Sequence, residues 1–457
     1  MNTSLPPSAC LAVENVENEP AAFSTFSTLS TGTLDLQAAI FPPGAWFDRY
    51  MDYARSREES ADSYLIGSII PVFAAVLARR ISFAWGDRWI YPNIFAMLAG
   101  KPGDRKSSAI NLAGEIARFC LEKKCFLPDA MSVEALFDEY DEDKGGSPDK
   151  ILIADDANSF LGLIQKSNYG ERVGQRLLTL YDCKGFLEAF RRNNDGAGDA
   201  KSGRREINST STSMILGATY NICQFQGHEI RSGLQRRFLY YVAEKHGRFI
   251  PLPPESAHTD FLNLTEKLKN VFSIKSLEFS FSPAAREFWI NFQKNNRWEM
   301  ENAGFEKDAH ISRLNGQPDH VLKLAMIFEL SLWLEMGGEP PKTISPLALE
   351  TAVLHIGHCI RAGQALDQIA NRAKIQADAE ILWAKIQMDF PGFRKNGEII
   401  LTRTQLTAKY AHHANRPGVL KPDEIYFQII PDLIRREKAR EIPRGGKPSI
   451  FAFLADG

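Results

Sequence analysis

The sequence predicts an α/β fold in which a parallel β-sheet is flanked by helical segments. Short apolar runs alternate with helical patterns over residues 91–254, as in the successive βα units of a parallel sheet. A glycine-containing segment separates the apolar run at residues 91–99 from a helical pattern at residues 109–121. A second apolar run, at residues 150–156, ends in two aspartates.

Length and composition favour a multidomain protein with at least one large core. The chain has 457 residues, of which 44% are hydrophobic and 24% are charged, and its net charge is −2. A globular composition of this length predicts roughly two to four domains. The low net charge argues against a protein that coats nucleic acid over its whole surface, although local basic patches can still bind phosphate. Since no apolar run reaches the roughly 18 residues that span a bilayer, we expect no membrane partner.

The N-terminal segment and the cysteines predict a cytoplasmic protein. Residues 1–32 are rich in Ser, Thr, Pro and Glu and lack the pattern of a secretory signal, so we expect a disordered tail. The six cysteines form no Cys-x-x-Cys pair and no zinc-spaced cluster with histidine. We therefore expect reduced, mostly buried thiols.

Changes in pattern divide the chain into five regions. After the tail at residues 1–32, we predict an N-terminal helical segment at 33–90, an α/β core at 91–255, a helical region at 256–374 and a small C-terminal domain at 375–457. The apolar stretch at residues 65–77 is expected to pack beneath the sheet. Residues 191–208, rich in Gly, Asn and Arg, are expected to form a loop.

The segment GKPGDRKSS, residues 100–108, has the context of a phosphate-binding loop, because a strand pattern precedes it and a helical pattern follows it. In such loops backbone N–H groups surround the β-phosphate, a lysine bridges phosphate oxygens and a hydroxyl coordinates Mg²⁺. The predicted nucleotide-binding residues are Gly100, Gly103, Asp104, Arg105, Lys106, Ser107 and Ser108. Of these, Lys106 would bridge the phosphates and Ser107 would hold Mg²⁺. An incidental Gly/Lys/Ser turn is the alternative.

Arg105 departs from the motif G-x-x-x-x-G-K-S/T, because it occupies the position of the second glycine. We expect the loop to accept an arginine there if its backbone keeps a negative φ. The guanidinium would then be able to touch the γ-phosphate. The alternative is that the arginine abolishes tight binding.

The run KILIADD, residues 150–156, predicts the acidic motif that accompanies a phosphate-binding loop. Asp155 would hold the Mg²⁺ shell, and Asp156 would orient and deprotonate the attacking water. Glutamate is more usual at the second position, so the shorter Asp156 predicts slow hydrolysis. The alternative is a helix cap before Ala157.

Two further segments supply candidates for contacts with the γ-phosphate. Thr219 or Asn221, after the apolar run at residues 214–216, would sense phosphate if that strand neighbours the strand before the loop. An ordinary strand-end turn is the alternative. Arg236 or Arg237 would act as an arginine finger, within the chain or across a subunit boundary. For these arginines the alternative is a solvated basic turn.

An ordered set of these segments resembles an uncharacterised family of P-loop ATPases, which occur as the helicase-like half of primase proteins or as separate proteins in phages, plasmids and other mobile elements. The segments are YPNIFAMLAGKPGDRKSSA, SVEAL, ILIADDANSFL, LLTLYD, ILGAT and GLQRRFLYY, and the resemblance covers roughly residues 34–367. Family members also tolerate a non-glycine residue before the lysine. The resemblance implies a RecA-like or AAA+-like core and a link to DNA replication or element maintenance.

The C-terminal region has the pattern of a winged-helix domain. TRTQ at residues 402–405 predicts a capping box, a further helix is interrupted by Pro431, and residues 441–453 predict a hairpin that turns at Gly445-Gly446. The predicted DNA-phosphate contacts are Arg435, Arg436, Lys438, Arg440, Arg444 and Lys447. Protein contacts are the alternative for this domain. The loop at residues 191–208 is a second candidate for gripping DNA, or else a disordered surface loop.

These motifs predict an ATP-binding, DNA-associated motor or remodelling protein of a mobile element, phage or defence locus. We expect in-line attack of water on the γ-phosphate of ATP, with Mg²⁺ held by Ser107 and Asp155. One alternative is a DNA-binding regulator in which nucleotide binding is a switch or is degenerate. Another is a scaffold that docks a partner primase, polymerase or nuclease. Whether the chain forms a homo-oligomer is left open.

Overall fold

The computed structural model describes most of the chain from residue 41 onward. The described residues are 41–129, 133–157, 167–192, 201–220, 233–243, 247–252, 254, 257–302, 308–390, 394–395, 397–411, 420–444 and 447–454. The predicted disordered tail and Asn221 therefore lie outside the described residues.

Strands and helices alternate through the first half of the described chain. The strands are β1 (Ile81–Trp85), β2 (Arg88–Ile90), β3 (Phe95–Ala99), β4 (Phe126–Leu127), β5 (Asp149–Ala154), β6 (Lys184–Arg192), β7 (Lys201–Ser209), β8 (Ser211–Ala218), β9 (Phe238–Val242), β10 (Leu277–Phe281), β11 (Thr343–Ile344), β12 (Arg394–Lys395), β13 (Glu398–Thr402), β14 (Ala439–Arg444) and β15 (Lys447–Leu454). The helices are α1 (Trp46–Arg57), α2 (Asp62–Leu77), α3 (Lys106–Cys120), α4 (Val133–Tyr140), α5 (Ser167–Tyr181), α6 (Ala257–Lys269), α7 (Pro283–Asn302), α8 (Asp308–Met336), α9 (Pro346–Asp389), α10 (Arg403–Tyr410), α11 (Pro422–Glu424) and α12 (Ile430–Arg435).

A five-stranded parallel sheet forms the centre of the fold, in the order β4-β5-β8-β3-β9. All side chains of β3, β8 and β9 are buried, as expected for parallel strands covered on both faces. The predicted α/β class with a parallel sheet is therefore confirmed. Since the strands are parallel, the segments that follow β3, β5 and β8 meet at one edge of the sheet.

Helix α2 is the main apolar element beneath the sheet, where it packs against β3, β8 and β9. Within the described part of the chain, residues 62–80 form the one helical stretch that is long and apolar enough to cross a bilayer. Of the 18-residue segment that meets this criterion, 89% is buried inside the protein. The burial assigns this hydrophobicity to the core and confirms the packing predicted for residues 65–77. The four cysteines that the structure describes are free thiols, and three of them are buried.

Two regions predicted as helical also contain strands. Strands β1 and β2 form a hairpin within residues 33–90, and β1 pairs with β10, from the predicted helical region 256–374, in a sheet of order β11-β10-β1-β2. In β1 the side chains of Ile81 and Phe83 are buried, which is the period of two that a half-buried strand requires. Strands this short were missed because the neighbouring helical patterns are much longer.

Residues 191–208, predicted as a loop, lie largely in an antiparallel β-ribbon. Strand β6 pairs with β7 over the whole length of both strands, and residues 193–200 lie outside the described residues. The polar composition did not reveal the ribbon because strand pairing satisfies backbone groups and does not require an apolar face. The ribbon lies between β5 and β8 along the chain.

The C-terminal region has its own apolar core, which includes the last turns of α9. This 44-residue helix runs through the predicted boundary at residue 374, and about 1.5 Å per residue makes it roughly 66 Å long. The capping box at Thr402 is present, and β14 pairs antiparallel with β15, so both predictions are confirmed. The hairpin turn at residues 445–446 lies outside the described residues. The helical stretch is continuous from residue 422 to residue 435, so no break occurs at Pro431, although the helix changes from a π-helical turn at residues 425–429 to an α-helix just before the proline.

Candidate functional site

Three predicted segments meet at the carboxyl edge of the parallel sheet. The glycine loop (residues 100–105) follows β3, Asp155 and Asp156 follow β5, and Thr219 follows β8, which lies between β3 and β5. They enclose a cavity of about 310 Å³. The lining residues are Pro102, Gly103, Arg105, Lys106, Ser107, Asp155, Asp156, Gly217, Ala218 and Thr219. The adjacency of β8 and β3 is the condition on which the prediction for Thr219 depended.

The glycine loop is held by hydrogen bonds to β8, to the Asp104 side chain and to the Lys106 side chain. The Gly100 amide donates to the carbonyl oxygen of Ala218 at 3.1 Å, and the Lys101 amide donates to Oδ2 of Asp104 at 2.6 Å. Gly103 has a φ of +90°, which glycine adopts without steric cost. Lys106 Nζ donates to the carbonyl oxygen of Lys101 at 2.7 Å. The lysine side chain therefore reaches back across the loop to Lys101, and the residue lines the cavity with only 9% of its surface exposed.

Helix α3 begins at Lys106, directly after the loop. Its N-terminal backbone has no side-chain cap, so its first N–H groups and the positive end of the helix dipole are available to an anion. Ser107 is exposed in the first turn and lines the cavity, and Ser108 is half-buried. The glycine loop, Lys106 and Ser107 thus line the same cavity at the start of α3.

Arg105 has a left-handed backbone conformation, which glycine adopts without steric cost. Its φ is +57° and its ψ is 29°, so the expectation of a negative φ is wrong. A left-handed conformation costs a residue with a side chain about 1–2 kcal/mol. The guanidinium forms an ion pair with Glu59, and 57% of the arginine side chain is exposed. Arg105 therefore retains the loop geometry at a cost in strain.

The acidic pair lies exposed beside the glycine loop. The Ala157 amide donates to the carbonyl oxygen of Gly217 at 2.7 Å, and a Cβ on Gly217 would clash with the Asp155 carbonyl oxygen. A glycine in β8 thus permits the close approach that brings Asp155 to the cavity.

Oxygen donors suited to Mg²⁺ are present in the cavity. Ser107 and Asp155 both line it, and Mg²⁺ in phosphate sites commonly takes one or two protein oxygens while phosphates and water supply the others. Among the described residues no group of three or more His, Cys, Asp or Glu side chains is placed to hold a metal. Ser107 and Asp155 are therefore two residues of the cavity whose oxygens could hold a cation.

Arg236 and Arg237 lie at the opposite edge of the sheet. They precede β9, whose first residue, Phe238, pairs with Phe95 at the start of β3. The five-residue length of β3, about 16 Å, separates that edge from the glycine loop. The prediction of an arginine finger acting within the chain is therefore wrong, and its form across a subunit boundary stays a prediction.

The two arginines differ in their surroundings. Arg237 Nη2 pairs with Asp182 at 3.1 Å, its Nη1 donates to the Gly233 carbonyl oxygen at 3.1 Å, and only 11% of its side chain is exposed. Among the residues that the structure describes, the Arg236 guanidinium forms no ion pair. Both residues line a second cavity of about 350 Å³, which is separate from the one at the glycine loop.

Most of the predicted DNA contacts are paired with carboxylates of the same chain. Arg435 pairs with Asp432, Arg436 and Lys438 pair with Glu380, and Arg440 pairs with Glu398, at 3.3, 2.8, 2.7 and 2.7 Å. The Arg440 guanidinium holds the pKa of Glu398 below its usual value. Arg444 is exposed at the end of β14, and the side chain of Lys447 lies outside what the structure describes. These ion pairs reduce the net positive charge of this surface.

Two residues that contact the glycine loop were not predicted from the sequence. Glu59 and Ser60, in the turn between α1 and α2, contact Arg105 through its side chain and its backbone. No local motif marks them, because the contact joins segments 45 residues apart.

No protein-family model matches the chain, and no curated protein matches it.

Proposed function

We propose that the protein is a P-loop ATPase with a RecA-like or AAA+-like core that binds ATP and Mg²⁺. The observation that carries this proposal is the meeting of Lys106, Ser107, Asp155, Asp156 and Thr219 in one cavity at the carboxyl edge of the sheet. In parallel α/β sheets, ligands bind at this edge. The loop before α3 suits a phosphate chain, and the acidic pair suits the cation that accompanies it.

Each side chain has a role in this proposal. Lys106 exchanges its bond with the Lys101 carbonyl for phosphate oxygens. Ser107 and Asp155 would hold Mg²⁺, which would supply positive charge to the phosphates. Asp156 orients the water that attacks the γ-phosphate in line and accepts its proton. Thr219 hydrogen-bonds the γ-phosphate. The shorter carboxylate of Asp156 predicts slow turnover.

Arg236 is the candidate for completing the site of a neighbouring subunit. It lies too far from its own glycine loop, and its guanidinium is less constrained than that of Arg237, which Asp182 and Gly233 hold in place. In this proposal the protein is a homo-oligomer, and Arg236 stabilises charge on the γ-phosphate bound to the next subunit.

For the biological role, we propose a DNA-associated, helicase-like motor or remodelling activity in the cytoplasm. The elements from the end of α9 to β15 have the order helix, strand, two helical segments and hairpin. This order supports a winged-helix domain. The ribbon β6–β7 is a second DNA candidate. A nucleotide-switched regulator is the second candidate function, and the strained Arg105 and the short Asp156 favour it.

ATP turnover by the purified protein tests the proposal, measured with and without single- and double-stranded DNA and with size-exclusion chromatography in the same buffer. A motor gives DNA-stimulated turnover by an oligomer. A switch gives ATP binding with turnover that DNA does not change. Absence of ATP binding contradicts both functions.

A further inference from the structure

The turn between α1 and α2 contacts the glycine loop at Arg105 through one hydrogen bond and one ion pair. Ser60 Oγ donates to the carbonyl oxygen of Arg105 at 2.7 Å, and the Glu59 carboxylate pairs with the Arg105 guanidinium. Ser60 is 1% exposed, and 19% of the Glu59 side chain is exposed. The backbone and the side chain of Arg105 are thus each held by a separate partner.

The turn is itself anchored from the other side by the segment after β9. The Ile250 amide donates to Oε1 of Glu59 at 2.9 Å, and Arg248 pairs with Asp62 at 3.0 Å. A Cβ on Gly247 would clash with the carbonyl oxygen of Glu59, so the two segments lie in direct contact. Because it is held independently of the glycine loop, the turn can fix the position of Arg105.

Arg105 requires such support. Its φ of +57° is a conformation that glycine adopts freely and that a residue with a Cβ adopts only when its surroundings hold it. In a loop with glycine at this position the conformation needs no outside contact. In this chain two residues outside the loop restrain the strained position.

We propose that Ser60 and Glu59 are positioning residues of the glycine loop, which hold Arg105 in the left-handed conformation and thereby preset the loop for a nucleoside triphosphate. This inference rests on the proposed function, because it takes the nucleotide as the ligand of the loop. Both residues act through Arg105, and neither is among the described residues that line the cavity. The N-terminal helices are therefore part of the nucleotide-binding machinery.

A comparison of four proteins tests the inference: the parent, Ser60→Ala, Arg105→Gly and the double variant. We expect Ser60→Ala to weaken the calorimetric affinity for ATP with Mg²⁺ about tenfold when Arg105 is present, because a shielded hydrogen bond is lost. In the Arg105→Gly background the same change should alter affinity less than about twofold, since glycine needs no restraint. Ser68→Ala is the matched control, because Ser68 is a buried serine of α2 that bonds the Leu65 carbonyl instead.

Amide hydrogen exchange of residues 100–107 in the nucleotide-free protein gives a second readout that does not depend on ATP binding. We expect Ser60→Ala to speed exchange when Arg105 is present and to leave exchange unchanged in the Arg105→Gly background. If the parent bound no ATP, the proposed function would fail while exchange still decided the positioning role. An equal effect of Ser60→Ala in both backgrounds, or none in either, would overturn the inference.

Discussion

Arg237 and Asp182 form an ion pair at the edge of the sheet opposite to the glycine loop, with 3.1 Å between Nη2 and Oδ1. The Arg237 guanidinium also lies over the ring of Tyr181, 5.5 Å from its centroid. Arg236, the preceding residue, contributes its carbonyl oxygen to a 2.9 Å hydrogen bond with Nε2 of His320. Two adjacent arginines are therefore expected to behave differently when replaced.

Arg237→Ala should destabilise the protein by about 2–3 kcal/mol, because it removes the buried one of the two cations that pair with Asp182 and leaves this partly buried carboxylate with only the exposed Lys184, at 3.3 Å. Arg236→Ala should change the free energy of unfolding by less than about 0.5 kcal/mol, since only its backbone makes the bond with His320. Chemical denaturation of the two variants checks this difference. Equal losses of stability would contradict the structural role assigned to Arg237.

Arg236→Ala should also lower ATP turnover at least about a thousandfold while sparing ATP affinity, as expected for loss of an arginine finger. In mixed oligomers, a protein with Arg236→Ala and a protein with Lys106→Ala should partly restore turnover, because intact sites form between unlike subunits. Turnover measured over a range of mixing ratios checks this. Unchanged turnover by the Arg236 variant would remove Arg236 from the catalytic site.

The acidic pair should separate binding from hydrolysis. Asp155→Ala should weaken ATP affinity in the presence of Mg²⁺ and have little effect in its absence, whereas Asp156→Ala should slow hydrolysis by roughly 10²–10⁴-fold and keep affinity. Titrations with and without Mg²⁺, together with turnover assays, distinguish the two effects. If both variants matched the parent, the pair would be structural only.

His320 should make stability fall at acid pH. Burial lowers its pKa to about 4 from an ordinary value of 6.5, so as the pH falls below 6.5 the unfolded state gains a proton that the folded state does not bind. Stability is therefore lost between pH 6.5 and pH 4, by about 2 kcal/mol at pH 5. His358, with a pKa lowered to about 3, contributes in the same direction.

Denaturation of the parent and of His320→Gln at pH 7 and pH 5 isolates the contribution of His320. The variant should lose about 2 kcal/mol less than the parent over this interval, because the His358 contribution is common to both. Identical losses would show that His320 does not titrate in this range.

DNA binding by the C-terminal region should depend most on Arg444, which is exposed, whereas four of the other predicted contacts are paired with carboxylates. Arg444→Ala should weaken DNA affinity and make the slope of log K against log salt shallower by about 0.9. Arg372→Ala, at an exposed position of α9, is the control. If replacing Arg435, Arg436, Arg440 and Arg444 together left both quantities unchanged, DNA contact would have to be sought in the ribbon β6–β7.

Much of the fold was predictable because local pattern and tertiary structure agree there. The apolar runs before Gly100 and Asp155 could be predicted as strands, because parallel strands that are buried on both faces consist of continuous apolar residues. The capping box at Thr402 was predictable because both of its hydrogen bonds form within four residues.

Other features depend on contacts between distant segments, which periodicity does not record. Strand β1 is fixed by pairing with β10, which lies far along the chain in the predicted helical region. The backbone of Arg105 depends on Ser60, and the distance of Arg236 from the glycine loop follows from the strand order. The chemical groups of the candidate site could be predicted from the sequence, whereas their positions relative to one another could be seen only in the fold.

In the proposed function, Lys106 binds the phosphates of ATP. Lys106→Ala should lower calorimetric affinity for ATP with Mg²⁺ at least about 100-fold, because two or more charge-assisted contacts of about 1.5–3 kcal/mol each are lost. Lys101→Ala is the matched control from the same loop, because Lys101 makes the loop contacts through its backbone and the residue is exposed. The ATP affinity of this control variant should stay within about threefold of that of the parent. An ATP affinity of the Lys106 variant equal to that of the parent would contradict the phosphate-binding assignment.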